Sequence, residues 1–149
     1  MLAQIAIGSI LMIVTTFVHA ACTLAALAAL RMTHAGRLGL RSRWTRVSLV
    51  AALVLMMFFA ALIEVYIWAA TYLVVGALSA LEPALYFSTV TFATLGYGDI
   101  TLNEDWRLLA SFEAANGIIM FGWTTALIFA FVHRVAGYET RAAAAHSDR

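Results

Sequence analysis

Residues 82–99 read Glu82-Pro83-Ala84-Leu85-Tyr86-Phe87-Ser88-Thr89-Val90-Thr91-Phe92-Ala93-Thr94-Leu95-Gly96-Tyr97-Gly98-Asp99. The apolar part, residues 83–93, is too short to cross a bilayer, because a spanning helix needs about 20 apolar residues. We therefore expect a re-entrant or interfacial helix there. Gly96 and Gly98 follow it and permit backbone angles that other residues resist. Irregular backbone at membrane depth is tolerated only where it is buried in protein or lines a cavity, so this segment indicates such a place.

Three longer apolar stretches surround this segment. They cover residues 2–30, 47–78 and 108–132 and contain no Lys, Arg or Asp, one His and two Glu: His19, Glu64 and Glu113. The chain is 64% hydrophobic and 11% charged, whereas soluble domains carry about 25% charged residues. A chain of this size cannot bury so much apolar surface within itself, so its solvent must be lipid. The sequence therefore predicts an all-α membrane protein with three spanning helices and one short re-entrant helix.

An alternative interpretation of the first stretch is a signal peptide, since Ala20-Ala21-Cys22 resembles a lipoprotein cleavage site. However, no basic region precedes the stretch, and its apolar run is far longer than that of a usual signal peptide. We therefore expect residues 1–30 to form a peripheral spanning helix. The single cysteine excludes an internal disulfide and a cysteine-based zinc site. The net charge of +1 argues against nucleic acid as a partner.

Arginine predicts the orientation of the chain. The loop over residues 31–46 contains no acid and carries five arginines: Arg31, Arg37, Arg41, Arg43 and Arg46. The positive-inside rule places this loop in the cytoplasm. The N-terminus is then outside, residues 82–106 face outside, and the short tail, residues 136–149, is cytoplasmic. We expect a multi-pass protein of the cell (inner or plasma) membrane. Tyr72 lies near a predicted boundary, where amphipathic rings settle.

Residues 94–99 resemble the potassium-channel signature T-x-G-Y-G-D. In that family, four copies of the strand line a filter whose backbone carbonyls replace the water shell of the ion. A pore helix, here residues 82–93, directs its partly negative C-terminal end at the pore. The resemblance implies that potassium ions, transported rather than held as a cofactor, bind to the carbonyls of five residues: Thr94, Leu95, Gly96, Tyr97 and Gly98. No organic cofactor is implied.

The resemblance extends to the third spanning helix. Gly117-Ile118-Ile119-Met120-Phe121-Gly122, followed by Thr124-Thr125-Ala126, is similar to the inner helix of small bacterial two-helix potassium channels. It implies a pore domain over residues 47–135, with an outer helix at 47–78 and an inner helix at 107–135, and a gating hinge at Gly117. Side chains three or four apart share one face, and by resemblance one such face lines the pore: Ile118, Phe121, Thr125, Phe129 and His133. The alternative is an ordinary apolar packing stripe.

The sequence departs from the family pattern at two positions. Leu95 stands where Val or Ile is commoner, which changes the packing behind the filter. Val90 stands where one bacterial channel has a Glu bonded to the filter aspartate, so filter stability is expected to differ. Asp99 is expected to concentrate cations at the outer mouth, and the alternative is an ordinary loop aspartate.

Two acids within the spanning helices need partners. A charged acid at the centre of a spanning helix costs about 2.5–3.5 kcal/mol on insertion scales. For Glu64 we expect a hydrogen bond to the pore helix or the filter surround. A proton-sensitive gating role is the alternative, and His19 is a candidate partner although the two depths differ by about 9 Å of helix rise. Glu113 is expected to support the filter from behind.

Two residues near the inner end of the third helix suggest gating roles. Phe129 is a candidate hydrophobic gate that closes by dewetting. His133 is a candidate pH sensor, because four imidazolium groups around one axis repel each other. The alternative is a solvated His that stabilises the C-terminal end of the helix.

One pore loop cannot enclose a pore, whereas a closed symmetric ring of four copies can. The sequence therefore predicts a homotetramer in a lipid bilayer that conducts potassium ions passively and selectively. Two alternatives remain: a weakly selective monovalent cation channel, and a non-conducting membrane subunit that modulates a partner. Nothing in the sequence resembles a nucleophile–base pair or a phosphate loop, so no enzyme activity is expected.

Overall fold

The computed structural model describes the backbone of residues 1–32 and 42–147 and the side chains of residues 1–29 and 42–134. Within these residues the chain forms no strand and four α-helices: α1 (Leu2–Met32), α2 (Arg43–Val74), α3 (Leu81–Phe92) and α4 (Arg107–Ser147). Helices α1, α2 and α4 are long and apolar enough to cross a membrane, whereas α3 has 12 residues. The predicted all-α fold, with three spanning helices and one short helix, is confirmed.

Helix α1 packs through a single face. Its buried residues recur every three or four positions: Gln4, Gly8, Leu11, Thr15, His19, Thr23 and Ala26. This spacing follows one side of an α-helix, and that side lies against α2 and α4. The other described residues of α1 are partly or fully exposed, so α1 sits at the edge of the helical bundle.

Helix α3 lies between α2 and α4. Its Phe87 and Phe92 join a buried cluster with Trp68 and Tyr72 of α2 and with Leu109 of α4. A second cluster, formed by Ala26, Leu53, Met57 and Phe131, joins the three long helices. The short helix is therefore held by aromatic packing from both neighbours.

The boundaries of α2 differ from the predicted outer helix at residues 47–78. The helix runs over Arg43–Val74. Val75 caps it, and Gly76 follows with a φ of +71°. The amides of Gly76 and Ala77 donate to carbonyls of the last helical turn at 3.1 and 2.9 Å, which is a Schellman motif. The apolar composition continues past this point, so composition alone does not reveal the stop.

The two other segment boundaries also shift. The predicted loop at residues 31–46 overlaps the ends of α1 and α2, and Arg37 and Arg41 lie outside the described residues. The predicted tail, residues 136–149, continues α4 as far as Ser147. No proline follows α3, and the tail contains a run of four alanines at residues 142–145, which are the best helix formers.

Helix α4 approaches the end of α3 closely at Gly117. A Cβ atom at this position would collide with the carbonyl oxygen of Phe92 and lie 2.9 Å from its carbonyl carbon. The glycine is therefore required by the close approach of two backbones. Gly117 faces α3, and the hinge role implied by the resemblance stays a prediction.

We expect Gly117→Ala to lower the free energy of unfolding by at least about 1–3 kcal/mol, because α3 and α4 must separate to admit a methyl group. Gly122→Ala is the matched control, since its Cβ position has no neighbour within 4 Å in the subunit. Denaturant unfolding of the purified protein, followed by circular dichroism, measures the difference. Equal unfolding midpoints for the two variants would contradict the proposed contact.

Candidate functional site

Residues 94–98, called the filter segment below, follow α3 directly and alternate in backbone conformation. The angle φ is positive at Thr94 (59°), Gly96 (56°) and Gly98 (78°), and no other non-glycine residue of the described chain has a positive φ. Reversing φ at every second residue turns the peptide planes so that successive carbonyls leave on the same side. No atom lies within 4 Å of the Cβ positions of Gly96 and Gly98. Glycine is therefore needed there for the backbone angle and not for space.

The backbone hydrogen bonds of the filter segment are one-sided. The amides of Thr94, Leu95 and Gly96 donate to carbonyls in the last turn of α3, at 2.9, 2.9 and 3.4 Å. In the described part of the chain, the carbonyls of residues 94–98 accept no backbone hydrogen bond. These three amides thus anchor the start of the segment on α3, and the carbonyls of residues 94–98 are left without a backbone donor in the described chain.

Asp99 has a partner on α3 that sequence reasoning missed. The hydroxyl of Tyr86 donates to its Oδ2 atom at 2.7 Å, and this hydrogen bond lowers the pKa of the exposed Asp99 carboxyl. Tyr86 precedes Val90 by one helical turn, so the two share a face. A tyrosine one turn earlier therefore supplies the bond that Val90 cannot make. The outer-mouth role of Asp99 stays a prediction.

Glu113 connects three helices. The hydroxyls of Tyr72 on α2 and Ser88 on α3 both donate to its carboxyl group, the former at 2.6 Å. All three side chains are fully buried, so the Tyr72 ring packs inside the protein, and its place near a membrane boundary stays a prediction. The support role of Glu113 behind the filter segment stays a prediction, and this geometry is what such a support requires.

The partner of Glu64 is His19, which was the candidate partner, and not the pore helix, which was the main expectation. Glu64 makes no bond to α3: its Oε1 atom lies 2.9 Å from Nδ1 of His19 on α1. His19 was the candidate partner despite the estimated difference in depth. That estimate assumed two upright helices at a known relative height, and sequence spacing gives neither their tilt nor that height. The Nε2 atom of His19 lies 3.1 Å from the Thr124 hydroxyl on α4, a contact that the sequence did not suggest.

The predicted pore-lining stripe lies on a side of α4 that the other helices of the chain leave uncovered. Its five residues are exposed: Ile118, Phe121, Thr125, Phe129 and His133. Phe121 touches the ring of Phe92 at 5.6 Å between centroids, and the rings of Phe129 and His133 lie 4.3 Å apart. The opposite side of α4 carries the buried residues, among them Glu113, Asn116 and Met120. The stripe is therefore not the face through which α4 packs on the other helices of this chain.

Polar residues within the apolar helices are the sequence signal for contacts between helices, and the sequence analysis considered only some of them. Such residues are costly in lipid and therefore find partners within the protein. This rule was applied to Glu64 and Glu113 but not to Tyr72, Ser88 or Asn116. Asn116 is fully buried and donates to the Thr15 hydroxyl at 2.9 Å.

We expect Tyr72→Phe to lower the free energy of unfolding by about 1–3 kcal/mol, because the buried Glu113 carboxyl loses a donor. Tyr66→Phe is the matched control on the same helix, since the Tyr66 side chain is 54% exposed. The control should stay within about 0.5 kcal/mol of the wild type. Denaturant unfolding measures both variants, and equal losses would show that the hydroxyl of Tyr72 is not what stabilises the junction.

We expect Tyr86→Phe to raise the pKa of Asp99 toward the ordinary value for an aspartate, because the lowering hydrogen bond is lost. On acidification, Asp99 should therefore become protonated at a higher pH in the variant than in the wild type. Carbon-13 NMR titration of the Asp99 carboxyl measures this. Thr89→Val is the control, since the Thr89 hydroxyl bonds only to the Leu85 carbonyl of its own helix. Identical titrations in Tyr86→Phe and wild type would contradict the assignment.

Comparison with known proteins gives a family for the chain. A family model described as "Ion channel" matches residues 51–134, which is 84 of 149 residues. The match covers α2, α3, the filter segment and most of α4. No curated protein and no solved structure matches the chain significantly. Because the model covers more than half of the sequence, the chain belongs to this ion channel family.

Proposed function

We propose that the chain is one subunit of a homotetrameric channel that conducts potassium ions passively and selectively. The observation that carries this proposal is the filter segment, in which alternating φ angles accompany carbonyls that accept no backbone bond in the described chain. Carbonyl oxygens arranged in rings replace the hydration shell of a potassium ion. Three amides of the same segment, those of residues 94–96, bond to α3, and the carbonyls that accept no backbone bond offer acceptors that suit a cation.

The exposure of the filter segment supports assembly into a ring. In the single subunit, the Leu95 and Tyr97 side chains are 56% and 67% exposed. Lipid offers no hydrogen bonds to free carbonyls, so a segment at membrane depth needs other protein or ions around it. A closed ring of identical copies supplies both. The resemblance of residues 94–99 to the potassium-channel signature gives the number of copies as four.

The charges near the filter segment favour a cation. Helix α3 ends at Phe92, directly before the segment, and the C-terminal end of a helix carries a partial negative charge. Asp99 follows the segment, and its lowered pKa keeps it ionised. Glu104 and Asp105 are exposed farther along the same connection. Glu104 lies 3.6 Å from Arg107, but an exposed pair of this kind contributes little to stability.

The open face of α4 supplies the rest of the conduction path in this proposal. In a ring of four, the stripe from Ile118 to His133 faces the axis, with Phe129 as the hydrophobic constriction. Gly117 lies above the stripe, and bending there would move it. The arginines near the start of α2, Arg43 and Arg46, support a cytoplasmic location for that end. In this proposal the N-terminus and the filter segment lie on the outer side of the cell membrane.

Reversal potential in a planar bilayer tests the proposal, with potassium on one side and sodium on the other. We expect the wild type to reverse far toward the potassium equilibrium potential. Gly96→Ala should abolish the current or its selectivity, because alanine resists the φ of +56°. Gly76→Ala is the matched control: it has a similar φ of +71° but lies at the end of α2, outside the filter segment.

The outcomes separate the proposal from its alternatives. Reversal near zero with current in the wild type would indicate a weakly selective cation channel. A wild-type protein that is tetrameric but never carries current would indicate a modulatory subunit. Loss of selectivity in Gly76→Ala as well as in Gly96→Ala would show that helix packing, and not the filter segment, was tested.

A further inference from the structure

Helix α1 carries a polar seam along its buried face, although it is otherwise apolar. Three polar residues of this face contact α4: Gln4, Thr15 and His19. The Gln4 Oε1 atom accepts from the Leu108 amide at 3.0 Å, and Thr15 accepts from Asn116 at 2.9 Å. Lipid-facing positions of a spanning helix are apolar, because polar groups there are costly. The bonds of Gln4 and Thr15 therefore dock this face of α1 on α4.

The seam makes α1 run in the same direction as α4. From Gln4 to Thr15 to His19, the partner residues on α4 advance from Leu108 to Asn116 to Thr124. Close packing follows the same register, since a Cβ atom at Gly8 would lie 2.7 Å from the Phe112 ring. Helix α1 thus accompanies α4 over about 16 residues, or roughly 24 Å at 1.5 Å per residue.

His19 is the point where this seam meets α2. Its Nδ1 atom lies 2.9 Å from Glu64 Oε1, and its Nε2 atom lies 3.1 Å from the Thr124 hydroxyl. His19 and Glu64 are both fully buried, and the Trp123 ring lies 5.4 Å from the imidazole. Both ring nitrogens are therefore engaged, each with a different helix. This fixes the ring orientation and ties α4 to α1 and α2 through one side chain.

Thr124 links the contact with His19 to the exposed stripe of α4. It lies beside Thr125, which belongs to the stripe, but it faces the interior of the subunit where His19 lies. It also follows Gly117 by seven residues, or about two helical turns. Any motion that displaces α4 below Gly117 from α1 and α2 must stretch or break the bond between Thr124 and His19.

We propose that His19 is a positioning residue that, through Thr124, restrains the inner helix, so that α1 sets the balance between open and closed states. This inference rests on the proposed channel function, because it assigns α1 a task in that channel. Helix α1 then limits the motion of α4, the pore-lining helix of its own subunit in this proposal. The conformation with the bond intact is the one that His19 favours.

Thr124→Val tests this proposal, because it replaces the hydroxyl by a methyl group of similar size. Thr124→Ser keeps the hydroxyl and should restore the wild-type behaviour. Thr16→Val is the matched control, since the exposed Thr16 hydroxyl bonds only to the Met12 carbonyl of its own helix, at 2.6 Å. His19→Ala and the double variant His19→Ala with Thr124→Val complete a cycle, which isolates the coupling of the two residues.

Two measurements are made on the tetramer in lipid. Single-channel recording gives the ratio of open to closed time, which should change about fivefold in Thr124→Val, as expected for one hydrogen bond. The double variant should behave like His19→Ala alone. In a Cys22→Ser background, a spin label at Val132→Cys gives the distances between subunits at the inner part of α4. The peak of that distribution should move in Thr124→Val and stay in place in Thr124→Ser and Thr16→Val.

The outcomes distinguish the two levels of the proposal. Absence of any dipolar coupling between labels in the parent protein would mean that no tetramer forms, which would overturn the proposed function and this inference with it. A normal parent signal with unchanged distances and open probability in Thr124→Val and His19→Ala would overturn the inference alone. Additive effects in the double variant would show that His19 does not act through Thr124.

Discussion

Three helices meet at the carboxyl group of Glu113, and the position of the short helix α3 depends on that junction. Tyr72 from α2 and Ser88 from α3 direct their hydroxyls at it, inside an aromatic cluster that excludes lipid. A short helix of 12 residues has too few turns to be stable alone. Its orientation is therefore imposed from outside, by this bond set and by the close contact with Gly117. The filter segment follows α3 directly, so the direction in which it leaves depends on the orientation of that helix.

The same physical rule organises the other polar residues of the spanning helices. Lipid cannot satisfy buried polar groups such as His19, Glu64 and Asn116, so they face a neighbouring helix. The result is a second junction, where His19 joins Glu64 and Thr124, on the far side of Asn116 from Glu113 along α4. One junction holds α3, and the other holds α1. Between them they fix α4 on its buried side and leave its opposite side free, which is the side that the proposed channel requires.

Part of the fold and of the site could be predicted because the signals are local. Length and apolar composition are enough to identify spanning helices, and glycines at alternate positions indicate a backbone with alternating φ. The end of α2 at Gly76 was missed, since the Schellman motif is a backbone feature within an apolar run. The partner of Glu64 was misplaced for a different reason: the relative heights of two helices depend on their tilt and packing, which sequence spacing does not record.

The sequence by itself determined that the chain is an all-helical membrane protein with a short helix and a glycine-containing segment between two spanning helices. These properties follow from composition and from residues adjacent in the chain. Only the tertiary structure decided which polar groups meet, because His19 and Glu64 are 45 residues apart and Tyr86 reaches Asp99 across the filter segment. It also decided that Gly117 is needed for close packing against α3. Contacts between distant residues depend on how helices pack in three dimensions, and a linear pattern does not specify that packing.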